Sequence, residues 1–210
     1  YVSLDGNDSN DGSFSAPFRT VSHAVVVANS VASLANPVVI NVGAGFFAEN
    51  NTGGPITITA PGISIVGTSA STTSILPFSS AIDLFSLSTG SVEFSNMTLL
   101  TPAPGSTATA IAMSATTGGA RFNWMIVTQF QRAFSLNNSG GDPSAVFEDI
   151  TAAGNGTVVS VNNMITVIKN SLFQGPIGAL VATNTGIEVT GTNADVAIFC
   201  LLYTSDAADE

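Results

Sequence analysis

Four short segments of this chain superimpose on one pattern. They are Val92-Glu93-Phe94-Ser95-Asn96-Met97, Ala120-Arg121-Phe122-Asn123-Trp124-Met125, Val146-Phe147-Glu148-Asp149-Ile150 and Thr166-Val167-Ile168-Lys169-Asn170-Ser171. In each, an apolar anchor (Phe94, Phe122, Phe147, Ile168) is followed two positions later by Asn, Trp, Asp or Asn, and the anchors lie 28, 25 and 21 residues apart. Recurrence at that period is the signature of a solenoid, in which each repeat buries its apolar side only by stacking on its neighbours. A second ladder interleaves with the first: Leu84-Phe85-Ser86-Leu87, Ala110-Ile111-Ala112-Met113, Ala133-Phe134-Ser135-Leu136, Val158-Val159-Ser160-Val161 and Leu180-Val181-Ala182. Each repeat therefore carries at least two short strands.

Composition agrees with many short strands. Charged residues make up 9% and the mean hydropathy is +0.42, yet apolar residues alternate with Ser, Thr, Asn and Gly and never run long enough for a membrane helix. Four basic residues are too few to neutralise a nucleic-acid backbone or to hold an anionic membrane surface. The expected location is extracellular, on a cell surface or on a virion surface. Residues 200–210, Cys200 to Glu210, resemble the translation of a sequencing adapter and are read as a non-native tail. Without Asp206, Asp209 and Glu210 the formal net charge moves from −10 to −7, and without Cys200 no thiol or disulfide chemistry is available.

The remaining chain, residues 1–199, reads as one domain, with a cap module over 1–55 and stacked coils over 56–199. Residues 19–34 are expected to form the one helix, N-capped by Thr20, with Val21, Ala24, Val25, Ala28, Val31 and Ala32 as its apolar stripe. A helix ahead of a β-only array covers the open end of its core. Stacked coils repeat at about 4.8 Å, which sets Glu93 against Arg121 and Glu148 against Lys169 as cross-strand ion pairs worth roughly 0.2–1 kcal/mol each. Asn96, Asp149 and Asn170 are expected at a bend, bonding stacked backbone groups.

The opening Tyr1-Val-Ser-Leu-Asp-Gly-Asn-Asp-Ser-Asn-Asp-Gly12, then Pro17-Phe-Arg-Thr-Val21 and the Asn41-to-Glu49 element, resemble the cap of the pectin-lyase-like superfamily. That resemblance implies a right-handed parallel β-helix with an N-terminal capping helix and with its C-terminal coils truncated. The layout of residues 18–173 is similar to pectinesterases, which use a glutamine and two aspartates to de-esterify pectin. At the matching positions this chain has Thr109, Arg132 and the acid-free Gly156-to-Val161 stretch. The resemblance thus implies the scaffold and argues against pectinesterase chemistry, so no catalytic residue is assigned.

Four residues are candidates for substrate binding. Asp83, Thr109 and Arg132 fall in one column of the second ladder, on a face expected to point outward. Trp124 takes the column otherwise held by Asn96, Asp149 and Asn170; its ring either stacks on a sugar or packs over the coil edge. Asp5, Asp8 and Asp11, with Asn7 and Asn10, offer hard oxygen ligands to Ca2+, although their spacing is not that of an EF-hand and solvated turns explain them as well. No other cofactor is expected. His23 is expected on the polar side of the helix as a plain surface residue.

The function expected from these residues is a non-catalytic surface β-helix presenting a neutral face to a polysaccharide or host-surface glycan, without nucleic acid and without membrane insertion. Two alternatives stand beside it. One is a polysaccharide lyase, hydrolase or esterase whose carboxylates lie in coils beyond Phe199; the other is a purely structural surface passenger.

Overall fold

The structure, a computed structural model, describes residues 1–101, 106–115, 118–138, 144–174, 185–191 and 195–204. In chain order the elements are α1 (Val21–Val31), β1 (Val38–Val42), β2 (Gly45–Glu49), β3 (Ile56–Ile58), β4 (Ile63–Gly67), β5 (Thr73–Pro77), β6 (Phe85–Leu87) and β7 (Val92–Leu100). They continue with β8 (Thr109–Ala115), β9 (Ala120–Thr128), β10 (Arg132–Asn138), β11 (Ser144–Ala153), β12 (Thr157–Asn162), β13 (Ile165–Gln174), β14 (Thr185–Thr190) and β15 (Asp195–Thr204). Every named strand pairing is parallel, and the strands form two sheets. The first sheet runs β1-β4-β7-β9-β11-β13-β15, with β2 and β5 on a branch; the second runs β14-β12-β10-β8-β6-β3. This is the all-β parallel solenoid with one N-terminal helix that the repeats predict.

The long strands of the first sheet are each two arms joined by a corner. In β7, β9, β11 and β13 a single residue turns into the left-handed region: Asn96 at φ 58°, Trp124 at φ 53°, Asp149 at φ 55° and Asn170 at φ 46°. That residue resets the in–out alternation, so buried positions fall at Phe94, Met97, Leu99, at Phe122, Met125, Val127 and at Phe147, Ile150, Ala152. Asparagine and aspartate tolerate this backbone better than other chiral residues do. Backbone tolerance accounts for them here. Among the described residues none of these three side chains bonds a stacked backbone group, contrary to the expectation of a hydrogen-bonded ladder. Asn51 and Asn155, both buried, supply such bonds instead. Asn155 Nδ2 donates to the Val127 carbonyl (2.8 Å) and its Oδ1 accepts the Phe130 N–H (3.0 Å); Asn51 ties Ser79 and Ile82 in the same way.

Between the sheets the anchors stack as the repeat predicts. Ile65, Phe94, Phe122, Phe147 and Ile168 pair successively, and Phe85, Ile111, Phe134 and Val159 face them from the second sheet. The last expected rung of that ladder, Leu180-Val181-Ala182, lies outside the described residues; β14 pairs with β12, placing Ile187 beside Val159. Strand β15 carries the first sheet through Cys200 to Thr204, where Leu201 and Leu202 pair with Ser171 and Leu172.

The helix is shorter than expected, Val21–Val31 rather than 19–34. Thr20 is its N-cap, its hydroxyl accepting the His23 N–H at 3.2 Å. Ala32 leaves helical geometry with ψ 145°, and Asn36 Nδ2 takes the Val31 carbonyl at 2.9 Å, so Val31 is 53% exposed rather than part of the packed stripe. Two acids complete the N-terminus. Glu49, 1% exposed, accepts the Val21 and Ser22 N–H groups at 2.8 and 3.0 Å, where the helix dipole favours an anion. Asp8 accepts from Arg19 N (2.8 Å), Thr20 N (3.0 Å) and the Thr20 hydroxyl (2.8 Å). His23 is half-buried and meets the Phe18 ring edge-on at 4.8 Å, a packing role rather than a plain surface one.

Desolvation alone would raise the Asp8 pKa, but the bonds from Thr20 and Arg19 outweigh it and hold the carboxyl below its ordinary value. A depressed folded-state pKa stabilises the fold above the unfolded pKa, about 3.9, and that contribution is lost as pH falls through the lower folded value. Thermal unfolding of D8N between pH 2 and pH 6 should therefore show a shallower acid limb than the parent, with the two curves converging at the acid end. Parallel curves would contradict this role for Asp8.

Candidate functional site

The residues singled out in the sequence fall on different parts of the prism. Thr109 pairs with Arg132 on the second sheet, as expected, and Asp83 sits one coil below. Thr109 is only 7% exposed, however, and its N–H donates to Asp83 Oδ1 at 2.6 Å. The column is therefore not an outward strip: Asp83 satisfies the backbone at the start of β8, and Arg132 alone of the three is exposed. The reason is local: Asp83, two residues ahead of β6, commits its carboxylate to the Thr109 N–H at the start of β8 rather than presenting it to solvent. The true outer row of the second sheet is Thr57, Ser86, Ala112, Ser135 and Ser160, small and uncharged, ending at Glu188.

Two of the three N-terminal acids, Asp8 and Asp11, are engaged by the cap. Both Asp8 oxygens accept hydrogen bonds, and Asp11 Oδ1 accepts the Ser13 N–H at 2.9 Å, which lowers its pKa. Asp5 lines a shallow depression with Leu4, Asn7 and Arg19. Among the described residues no three His, Cys, Asp or Glu side chains are grouped to hold a metal ion.

Trp124 stands apart from those residues, at the corner between the two arms of β9. Its backbone is in the left-handed region and its side chain is 63% exposed. A bulky aromatic residue in that conformation is a genuine outlier costing on the order of 1–3 kcal/mol, and such outliers cluster at functional sites. The neighbouring coils solve the same corner with Asn96 and Asp149, so the backbone does not require a ring there. Of the two sequence readings, packing over the coil edge is the weaker, because most of the indole remains in solvent.

Three residues before Trp124 on the same strand lies Arg121. The register sets Glu93 beside Arg121 and Glu148 beside Lys169, as the coil spacing predicts. The ion pairs do not close. Among the described residues no ion pair reaches 4.0 Å, and Glu93 Oε1 instead accepts from Asn123 Nδ2 at 3.3 Å. Exposed charges gain little from pairing in water, which leaves them free to satisfy other partners. Glu93 and Arg121 border a groove of about 400 Å3 across the first arms, whose floor is kept low by Gly62, Ser91, Gly119 and Ser144. A Cβ on Gly119 would stand 2.6 Å from the Ser144 carbonyl oxygen, so only glycine fits that step. Register alone does not reveal this groove; its signal in the sequence is Arg121 three residues from the lone tryptophan.

No family model matches the sequence, and no curated protein is similar to it. Solved structures share the fold. A pectin methylesterase variant in complex with a hexasaccharide superimposes with a TM-score of 0.64 at 14% identity, over 94% of this chain and 65% of that one. A rhamnogalacturonan lyase gives 0.52 at 15%, over 100% of this chain and 63% of that one. A pectin methylesterase from Aspergillus niger gives 0.50 at 12%, over 99% and 85%. The chain thus spans a little under two thirds of the length of the first two. At these identities the likeness establishes the pectin-lyase-like β-helix fold.

Proposed function

We propose that this protein is a surface β-helix that binds a polysaccharide without catalysis, with Trp124 as its aromatic platform. The observation that carries the reading is the exposed indole held in a strained backbone where adjacent coils use Asn or Asp. Sugar rings present C–H faces that pack on aromatic rings, and an indole at a convex corner is reachable by a long polymer. The surroundings are polar and partly acidic: Asn123, Ile126 and Thr151 flank the corner on the two arms, with Glu148 beside Asn123 and Asp149 at the next corner. The fold relatives, a methylesterase with bound hexasaccharide among them, support a carbohydrate as the ligand class. Among the described residues no helix is long and apolar enough to cross a membrane.

Trp124 is the only tryptophan in the chain, so its emission reports on this site alone. Titration with neutral and acidic oligosaccharides is expected to shift or quench the emission saturably for at least one of them. A folded protein with no response to any would remove the platform. The second reading, an enzyme acting on polysaccharide through carboxylates in coils beyond Phe199, is favoured by the activities of its fold relatives. Activity of the intact protein that survives loss of Trp124 would select it.

A further inference from the structure

We infer that Asn50 is the acceptor of an N-linked glycan when the chain passes through a secretory pathway, and that the first sugar of that glycan covers Phe78. Five asparagines stand in the Asn-x-Ser/Thr pattern that such transfer requires: Asn7, Asn50, Asn96, Asn137 and Asn155. The pattern alone is common in a chain rich in these residue types, and the fold sorts the five. Asn155 is 1% exposed, and both ends of its amide are bonded, to the Val127 carbonyl and the Phe130 N–H. Asn96 is half-buried at its corner, and the Thr98 hydroxyl donates to the Ala70 carbonyl at 2.6 Å instead of to Asn96. Asn7 is exposed, but Ser9 reaches its Oδ1 only through the backbone N–H, at 2.9 Å. Asn137 is exposed, while its hydroxyl partner Ser139 lies outside the described residues.

Asn50 has the chemistry of an acceptor. It follows β2 directly and is exposed, as are Thr52 and Gly53. Thr52 donates to Asn50 Oδ1 twice, from its hydroxyl at 2.8 Å and from its backbone N–H at 3.2 Å. Two donors on the oxygen draw electron density out of the amide and make Nδ2 easier to deprotonate. The turn beyond is open: a Cβ on Gly53 or Gly54 would meet nothing within 4 Å, which leaves room for a bulky donor. In the transfer, Nδ2 bonds to the anomeric carbon of a lipid-diphosphate-linked oligosaccharide. The bond from that carbon to the diphosphate oxygen breaks, the diphosphate leaves with the electron pair, and a base of the transferring enzyme takes the Nδ2 proton.

Phe78 supplies an independent observation. Strands β2 and β5 pair in parallel up to Glu49 and Pro77, so the next step of the register sets Asn50 beside Phe78, whose N–H donates to the Glu49 carbonyl at 2.8 Å. Phe78 is 73% exposed, one coil spacing of about 4.8 Å from Asn50. A ring left in water forgoes the burial that aromatic side chains ordinarily gain, and the C–H face of a sugar on Asn50 restores part of it.

The test is secretion of the full chain from a eukaryotic host, with peptide mapping of the folded product before and after enzymatic removal of N-glycans. Asn50 should carry a glycan at higher occupancy than Asn7, with Asn96 and Asn155 unmodified. N50Q and T52V should each remove that glycan, and T52S should retain it. The occupied parent should melt roughly 2–4 °C above N50Q, whereas F78S should stay occupied yet melt together with F78S/N50Q. Secreted, folded protein with Asn50 unmodified, or with Asn7, Asn96 or Asn155 occupied ahead of it, overturns the acceptor assignment. A gap between F78S and F78S/N50Q as large as that in the parent overturns the contact with Phe78. Trp124 emission reads a different site, so neither result decides the platform reading.

Discussion

Replacing Phe122 with alanine is expected to cost about 3–5 kcal/mol, a large part of the stability of a domain this size. Phe122 is fully buried and meets three other rings: Phe147 stacked at 4.9 Å, Phe134 at 4.9 Å and Phe94 stacked at 6.0 Å. It is thus the shared contact of three adjacent coils and both sheets. In a solenoid, stability is a sum of coil terms and nearest-neighbour interfaces, so removing one ring weakens two interfaces at once. The coils cannot collapse into the void, because their spacing is fixed at about 4.8 Å by the backbone ladder. The thermal midpoint should fall by roughly 6–20 °C. F46A supplies the control: Phe46 is 72% exposed on β2, and its removal should change stability by no more than about 0.5 kcal/mol. Equal effects of F122A and F46A on unfolding would contradict the assigned core.

The second large effect has opposite signs in stability and binding. Asparagine at position 124 restores the residue type that its neighbours in the column use, Asn96 below and Asn170 two coils above, and relieves the left-handed strain of an aromatic residue. W124N is expected to be more stable than the parent by about 1 kcal/mol, a rise of roughly 2–4 °C in midpoint. It should at the same time lose glycan affinity by about fivefold to thirtyfold, since the aromatic face contributes on the order of 1–2 kcal/mol. A residue kept at a cost to the fold, whose removal abolishes binding, has the thermodynamic profile of a functional site. If W124N proves less stable and binds normally, the indole is a packing residue and the platform reading fails. W124F separates ring from strain: it keeps an aromatic face in the same backbone and should retain part of the affinity without the gain in stability.

The scaffold was legible in the sequence because a solenoid writes its core repeatedly. Phe94, Phe122 and Phe147 recur at coil spacing, and stacking turns that recurrence directly into contacts. Thr20 as N-cap was legible for a local reason, its side chain completing the first turn. The corners were harder to read. A left-handed residue inverts the alternation halfway along each long strand, so inward positions follow an i, i+3, i+5 order that neither a helix nor a plain strand produces. At those corners Asn96, Asp149 and Asn170 supply a backbone conformation rather than hydrogen bonds. Thr109, at the start of β8, was harder for a different reason: what covers it depends on the turn ahead of the strand, where Asp83 takes its N–H. The helix end was obscured because Val31 and Ala32 continue the apolar stripe while Asn36 and Pro37 already divert the chain. Glu93 and Arg121 were readable as register partners, but a register does not fix side-chain rotamers. Whether two exposed charges pair or frame a groove depends on competing donors such as Asn123.

The most direct test of a sugar platform at Trp124 is collisional quenching of its emission by acrylamide, with and without saturating oligosaccharide. A bound sugar lying on the indole must shield it, so the quenching slope should fall markedly on saturation. An unchanged slope, at concentrations where calorimetry shows the glycan bound, would place binding elsewhere and contradict the account.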